Sequence, residues 1–199
     1  MKKRKFKILI LGVFFIILGF FFSIPDGKLR LVFCNVGQGD GALIIKGNWQ
    51  MMIDSGAYNG KMERCLDRYL PFWDKKIEAV VISHWDKDHG GALPKIMNNY
   101  QIERLFESGL SEEGVEQKSY TEILRAGDIV RYGEIYFEVI YPGENLGNGN
   151  ESSLVIVLNY GDKKFMFTGD VDRAGEGEMM TWWQEGVEGI KISHHGSDS

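Results

Sequence analysis

Short runs of Val, Ile, Leu, Phe and Tyr recur along the chain, each bounded by Gly, Asn or Asp. Such runs predict strands over Leu29–Asn35, Ala42–Lys46, Gln50–Asp54, Ile77–Ser83 and Ile102–Glu107. Further strands are predicted over Asp128–Arg131, Ile135–Tyr141, Leu154–Tyr160, Lys164–Thr168 and Gly189–Ser193. Amphipathic stretches between them predict helices over Met62–Leu70, Leu93–Asn99, Tyr120–Arg125 and Gly177–Glu185. Met179-Met180-Thr181-Trp182-Trp183 reads as a helix face packed on a sheet. From residue 25 onward there is no linker, repeat or low-complexity stretch. The pattern predicts an α/β fold with a mixed sheet or two sheets and helices packed outside.

The first 24 residues break this pattern. Lys2, Lys3, Arg4, Lys5 and Lys7 precede an uncharged apolar stretch, Ile8–Ile24, closed by Pro25-Asp26-Gly27. At ~1.5 Å per residue this stretch is about 25 Å long, the short end of a membrane span. A cleaved signal peptide wants small residues at its end, and Phe20-Phe21-Phe22 are bulky, so an uncleaved signal anchor is favoured. The basic run keeps residues 1–7 in the cytoplasm, which makes residues 25–199 a membrane-anchored, extracytoplasmic domain.

Charge follows the same division. The chain of 199 residues has 23 Lys and Arg against 28 Asp and Glu, a net of -5. Five of those bases lie in the first 24 residues, so the body has 18 bases against 28 acids, a net of -10. An acidic body argues against a bulk electrostatic grip on nucleic acid but leaves room for a local one. Lys75-Lys76 and Lys163-Lys164 read as solvated pairs, and no basic-aromatic stripe is visible in the sequence. At 44% hydrophobic and 13% aromatic residues, a disordered chain is excluded. Cys34 and Cys65 could pair in an exported domain, but Cys34 sits beside Leu31-Val32-Phe33, and a buried free thiol is the favoured expectation.

The four histidines, His84, His89, His194 and His195, fall in two short segments, each directly after an apolar strand. In the first, His84, Asp86, Asp88 and His89 place two imidazoles and two carboxylates within six residues. These donors suit Zn²⁺, Mn²⁺ or Fe. One ion rarely takes four ligands from so tight a turn, so two adjacent ions are the natural reading. His194-His195 alone is weaker and could be a surface turn. Asp170, in Phe167-Thr168-Gly169-Asp170, also ends a strand and could bridge two ions. Asp54 at another strand end is either an orienting partner for a ligand histidine or a turn acid. The Val36–Gly41 loop lacks a following helix and reads as a tight turn more than a phosphate cradle.

His84-x-Asp86-x-Asp88-His89-Gly90-Gly91 resembles the metal-binding signature of the metallo-β-lactamase superfamily. Val36-Gly37-Gln38-Gly39-Asp40, Ile53-Asp54-Ser55-Gly56, Asn150-Glu151-Ser152-Ser153-Leu154, Phe167–Asp170 and His194-His195-Gly196-Ser197 follow the order of a narrower group. That group is the metallo-β-lactamase-like domain of ComEC-type competence proteins and its free-standing relatives. The resemblance implies an αββα sandwich from about Leu29 to the last residue, with its second half incomplete. It implies that His84 and Asp86 serve one ion and that Asp88 and His89 serve a second. Asp170 would bridge, with His195 or His194 completing the second site. Asp86 stands where the common signature has His, which favours Mn²⁺ over Zn²⁺. The third histidine usual at the first ion is missing, with Asn150 in roughly its place, and Asn35 stands where the narrower group has Asp.

The function implied is a hydrolase that uses a metal-bound hydroxide on a phosphodiester or nucleic acid outside the cytoplasm, with a link to DNA uptake. Asp88 is the residue expected to orient the attacking water as well as to bind metal. The absence of His-x-His makes β-lactam hydrolysis the weaker substrate reading. The rival expectation is a non-catalytic membrane-anchored module that keeps the fold to bind metal or a partner.

Overall fold

The computed structural model describes residues 7, 10–14, 26–109, 120–142 and 152–196, with the side chain of His195 outside that set. Most of the expected membrane span, Ile8–Ile24, lies outside the described residues, as do Asn150 and Ser197. Among the described residues no helix is long and apolar enough to cross a membrane.

The strands are β1 (Leu29–Phe33), β2 (Gly41–Lys46), β3 (Trp49–Ser55), β4 (Lys76–Val81), β5 (Gln101–Glu107) and β6 (Thr121–Ile123). They form one sheet in sequence order, antiparallel from β1 to β3 and parallel from β3 to β6. A second sheet has the order β11-β10-β9-β8-β7. Its strands are β7 (Ile129–Tyr132), β8 (Ile135–Tyr141), β9 (Val155–Tyr160), β10 (Lys163–Phe167) and β11 (Gly189–Lys191). Helices α1 (Lys61–Tyr69) and α2 (Leu93–Ile96) follow β3 and β4, and α3 (Arg173–Met179) follows β10.

Side chains alternate across each strand, and three apolar layers result. Ile44, Ile53 and Val81 of the first sheet meet Phe137, Ile156 and Leu158 of the second in a central core. Leu43, Met52 and Val80, on the other face of the first sheet, pack on Met62 and Leu66 of α1 and Ile96 of α2. Val157 and Met166, on the outer face of the second sheet, pack on Met179 and Trp183. The stacking is helix, sheet, sheet, helix. Burial on both faces explains why the central strands read as unbroken apolar runs.

Three expectations are corrected. Tyr120–Arg125 is not a helix. Thr121–Ile123 forms an edge strand parallel to β5, and the Arg104 guanidinium grips the Glu122 carboxylate through two bonds of 2.7 and 2.8 Å. Two β-branched residues and that cross-strand pair outweigh helical spacing in so short a segment. The helix expected over Gly177–Glu185 runs instead from Arg173 to Met179. Asp172 caps it, accepting from the Gly175 amide at 2.8 Å, and this cap sets the start four residues earlier. Met179 and Trp183 still pack on the sheet as the sequence indicates.

The third correction concerns the cysteines. Cys34 and Cys65 form a disulfide, with Cα atoms 5.9 Å apart. Cys34 follows edge strand β1, and α1 packs alongside with Cys65 on its buried face. That adjacency arises only once α1 docks on the sheet, so residue spacing does not reveal it.

Candidate metal centre

The ends of several strands converge on one edge of the sandwich. Asp54 lies near the end of β3, Ser83 and His84 follow β4, Asp170 follows β10, and Ser153 precedes β9. β9 runs antiparallel to β10, so the start of one lies beside the end of the other. The Leu154 amide donates to the Ser83 carbonyl at 2.8 Å and stitches the two sheets together at this point.

The loop after β4 is pinned from both sides. Asp86 accepts from the amides of His89 and Gly90, and the His89 carbonyl accepts from the Ser55 amide at 2.6 Å and hydroxyl at 2.9 Å. The Asp88 carbonyl accepts from the Asp40 amide at 3.1 Å. Gly39, at φ +104°, sits so close to this carbonyl that any side chain there would collide with it. The Gly-rich loop is thus a backbone clamp on the histidine loop, a role beyond the tight turn read from sequence.

Three donors come together. One ligand atom each from His84, His89 and Asp170 lie within 4.8 Å of one another, and all three residues are buried. His89 Nε2 is 3.3 Å from Asp170 Oδ2, and the two imidazole rings are 4.1 Å apart between centroids. A second trio, Asp40, Asp54 and His89, meets the same spacing on the other side of His89. Among the described residues neither trio includes Asp86 or Asp88. Asp86 is half-exposed, with Oδ2 3.6 Å from His84 Nε2. The His194 amide donates to Asp170 Oδ1 at 3.1 Å, and its Nδ1 lies 3.7 Å from Asp170 Oδ2. His195 shares the 3₁₀ turn Ser193–Gly196, but its side chain lies outside the described set.

Hydrogen bonds behind the histidines orient them. Asp54 Oδ2 is 3.0 Å from His89 Nδ1, and a carboxylate can only accept, so this nitrogen donates and Nε2 faces Asp170. The Ser83 hydroxyl donates to Asp54 at 2.8 Å. Its proton is then committed, so toward His84 Nδ1, 3.1 Å away, it accepts. This assigns the proton of His84 to Nδ1 and leaves the lone pair on Nε2. Ser153 supports the same ring at 3.2 Å while accepting from the Asp170 amide at 3.3 Å.

Charge is concentrated here. Burial disfavours the His89 imidazolium, but Asp54 and Asp170 outweigh it and push the pKa up to about 10. Burial, with the neighbouring His89 charge, pushes His84 down. Lys191 at the end of β11 pairs with Asp40 and lies 3.9 Å from Asp170, and burial pushes its pKa down to about 8. Its place was not anticipated. Strand alternation carries the only signal, since Lys191 and Ser193 fall on one side of an extended segment leading to His194. Ser83 and Ser153 were likewise read only as parts of motifs.

His84 Nε2 is buried and has no hydrogen-bond partner among the described residues. Buried imidazole nitrogens seldom go unpaired, and this one faces the half-exposed Asp86 beside His89 and Asp170. Two imidazoles and a carboxylate are a fitting donor set for a divalent transition metal.

The profile of the metallo-β-lactamase superfamily matches residues 35–198. The chain belongs to the metallo-β-lactamase superfamily. Within that superfamily it is similar to ComE operon protein 3 of Bacillus subtilis, at 28% identity over 135 residues, covering 62% of this chain and 17% of the relative. It is also similar to Recombination protein 2 of Haemophilus influenzae, at 25% over 169 residues, covering 82% of this chain and 21% of the relative. The chain therefore spans about a fifth of the length of these curated relatives, and the likeness supports the ComEC-type grouping. A metallo-β-lactamase from Cronobacter sakazakii shares the fold with a TM-score of 0.56 at 14% identity, covering 77% of this chain and 62% of that one.

Proposed function

We propose that this metallo-β-lactamase-fold chain is a metal-dependent hydrolase of phosphodiesters. It acts on nucleic acid outside the cytoplasm, is held to the membrane by residues 8–24, and serves DNA uptake. The convergence of His84, His89 and Asp170 at one strand-end edge carries this reading. The likeness to ComE operon protein 3 and Recombination protein 2 supports a nucleic-acid substrate.

His84 and Asp86 would hold one ion, and His89, Asp88 and His194 or His195 a second, with Asp170 between them. Divalent ions, Zn²⁺ or Mn²⁺, would supply Lewis-acid charge at a phosphoryl centre and acidify a water. The chain's own residues do the rest. Asp54 holds His89 in one orientation, and Ser83 with Ser153 hold His84. Asp88 orients the attacking water and takes its proton. Lys191 balances the carboxylates of Asp40 and Asp170.

The test uses the full-length chain in detergent, supplied with Mn²⁺ or Zn²⁺. It is assayed on bis(p-nitrophenyl) phosphate and on a single-stranded oligonucleotide. Metal-dependent cleavage that Asp88→Ala lowers by two or more orders of magnitude is the expected result. Equal rates in wild type and Asp88→Ala would sink the hydrolase reading.

A further inference from the structure

Beside the metal centre, between edge strand β1 and helix α1, runs an open groove of about 620 Å³. Phe33 and Cys34 line both this groove and the cavity that reaches Asp54, Ser83 and Lys191, so the two spaces adjoin. The groove carries Lys61, Arg64 and Arg68 on one wall, spaced three and four residues apart on α1 and therefore on one helix face. Phe33, 58% exposed, and Tyr69, 41% exposed, supply two aromatic faces, and Asn35 lies between the walls.

These three cations have no carboxylate partner among the described residues. The acids on the same helix turn elsewhere. Glu63 pairs with Lys95 at 2.7 Å, and Asp67, on the groove rim, faces Lys75 at 3.7 Å. Lys61 Nζ reaches over Gly37 and so places its charge on the clamp loop itself. A positive wall on a body with ten more acids than bases is a local exception to the chain's charge. Cations in a row with exposed aromatic rings match a sugar-phosphate backbone with splayed bases. The groove suits a few nucleotides of one strand, because a duplex keeps its bases stacked inside and offers none to Phe33 and Tyr69.

We infer that this groove guides the backbone of a single-stranded nucleic acid toward the metal centre. The inference rests on the proposed nucleic-acid substrate and adds a binding site to it. Lys61, Arg64 and Arg68 hold consecutive phosphates, while Phe33 and Tyr69 stack on bases.

The test measures binding of a short fluorescent oligothymidine to the full-length, metal-free chain in detergent, by anisotropy at several salt concentrations. Three phosphate contacts predict that wild type loses roughly 20-fold in affinity between about 50 and 200 mM salt. The triple variant Lys61→Gln, Arg64→Gln, Arg68→Gln binds weakly and shows little salt dependence. Tyr69→Ala loses several-fold at every salt concentration. Unchanged affinity and salt slope in the triple variant overturn the inference, as does equal binding of a duplex. Intact strand binding with lost capture by phosphatidylglycerol vesicles also overturns it and assigns the groove to lipid headgroups. Bis(p-nitrophenyl) phosphate is too short to reach the groove, so its hydrolysis reports the metal centre alone. Failure of all diester hydrolysis speaks to the enzyme reading separately.

Discussion

Asp54 Oδ2 stands 3.0 Å from His89 Nδ1, and the same carboxylate accepts from the Ser83 amide and hydroxyl, each at 2.8 Å. One buried acid therefore sets the orientation of His89 directly and that of His84 through Ser83. Asp54 holds φ at +55°, an uncommon backbone angle for a residue with a side chain, which aims its carboxylate back under both rings.

Asp54→Asn should weaken metal binding by roughly 10- to 100-fold, the usual cost of losing an orienting partner. The amide side chain keeps the volume and can still hydrogen-bond, so the fold persists. Titration of the apo chain with Zn²⁺ or Mn²⁺ by calorimetry checks this, and unchanged affinity would remove Asp54 from the site.

Asp170 and Asp86 should differ sharply. Asp170 is buried, 3.3 Å from His89, while Asp86 is 52% exposed in its side chain. Asp170→Asn is expected to abolish both tight metal binding and hydrolysis. Asp86→Asn should lower them partially and leave one ion bound. Metal content by mass spectrometry after dialysis reads the difference, and identical losses would contradict the placement.

The Cys34–Cys65 bridge closes a loop of sequence separation 31. Loop-closure entropy for that length is worth about 3–4 kcal/mol. The double variant Cys34→Ser, Cys65→Ser should therefore lose about that much in urea unfolding. A loss below about 1 kcal/mol would show that docking of α1 alone holds the segment.

Edge strand β6 supplies a pH test away from the site. The Arg104 hydrogen bonds hold the Glu122 carboxyl below its ordinary value of 4.5. The unfolded chain then takes up this proton first as pH falls. The stabilisation is complete above pH 4.5 and is lost as pH drops through the lowered folded pKa. Glu122→Gln should flatten the fall in urea midpoint below pH 4.5 compared with wild type. The pair is partly exposed, so the effect is modest and weakens with salt. Parallel curves for the two proteins would show the pair to be neutral.

An α/β fold was legible in the chain because burial on both sheet faces writes itself as continuous apolar runs, as in Ala79–Ile82 and Leu154–Leu158, whereas the αββα order came from the resemblance. Short elements were less legible. Thr121–Ile123 owes its strand to β5 next door, and α3 owes its start to Asp172, whose capping role the apolar pattern does not show. At the site, His84 and Asp170 stood out because they follow strands, and His89 because it closes the same short His/Asp cluster. The disulfide, the Lys191–Asp40 pair and the groove on α1 are each made by residues that only tertiary contact unites. The cations at 61, 64 and 68 look scattered in sequence and align only on a helix.

The ion pair between Lys191 and Asp40 joins the last strand described to the loop after the first. During synthesis the chain therefore exposes Asp40, Asp54, His84 and His89 long before their partners exist. Contacts so distant along the chain close late in folding. The nascent chain holds a partial ligand set until β11 docks, and its affinity for metal should rise only with that final step.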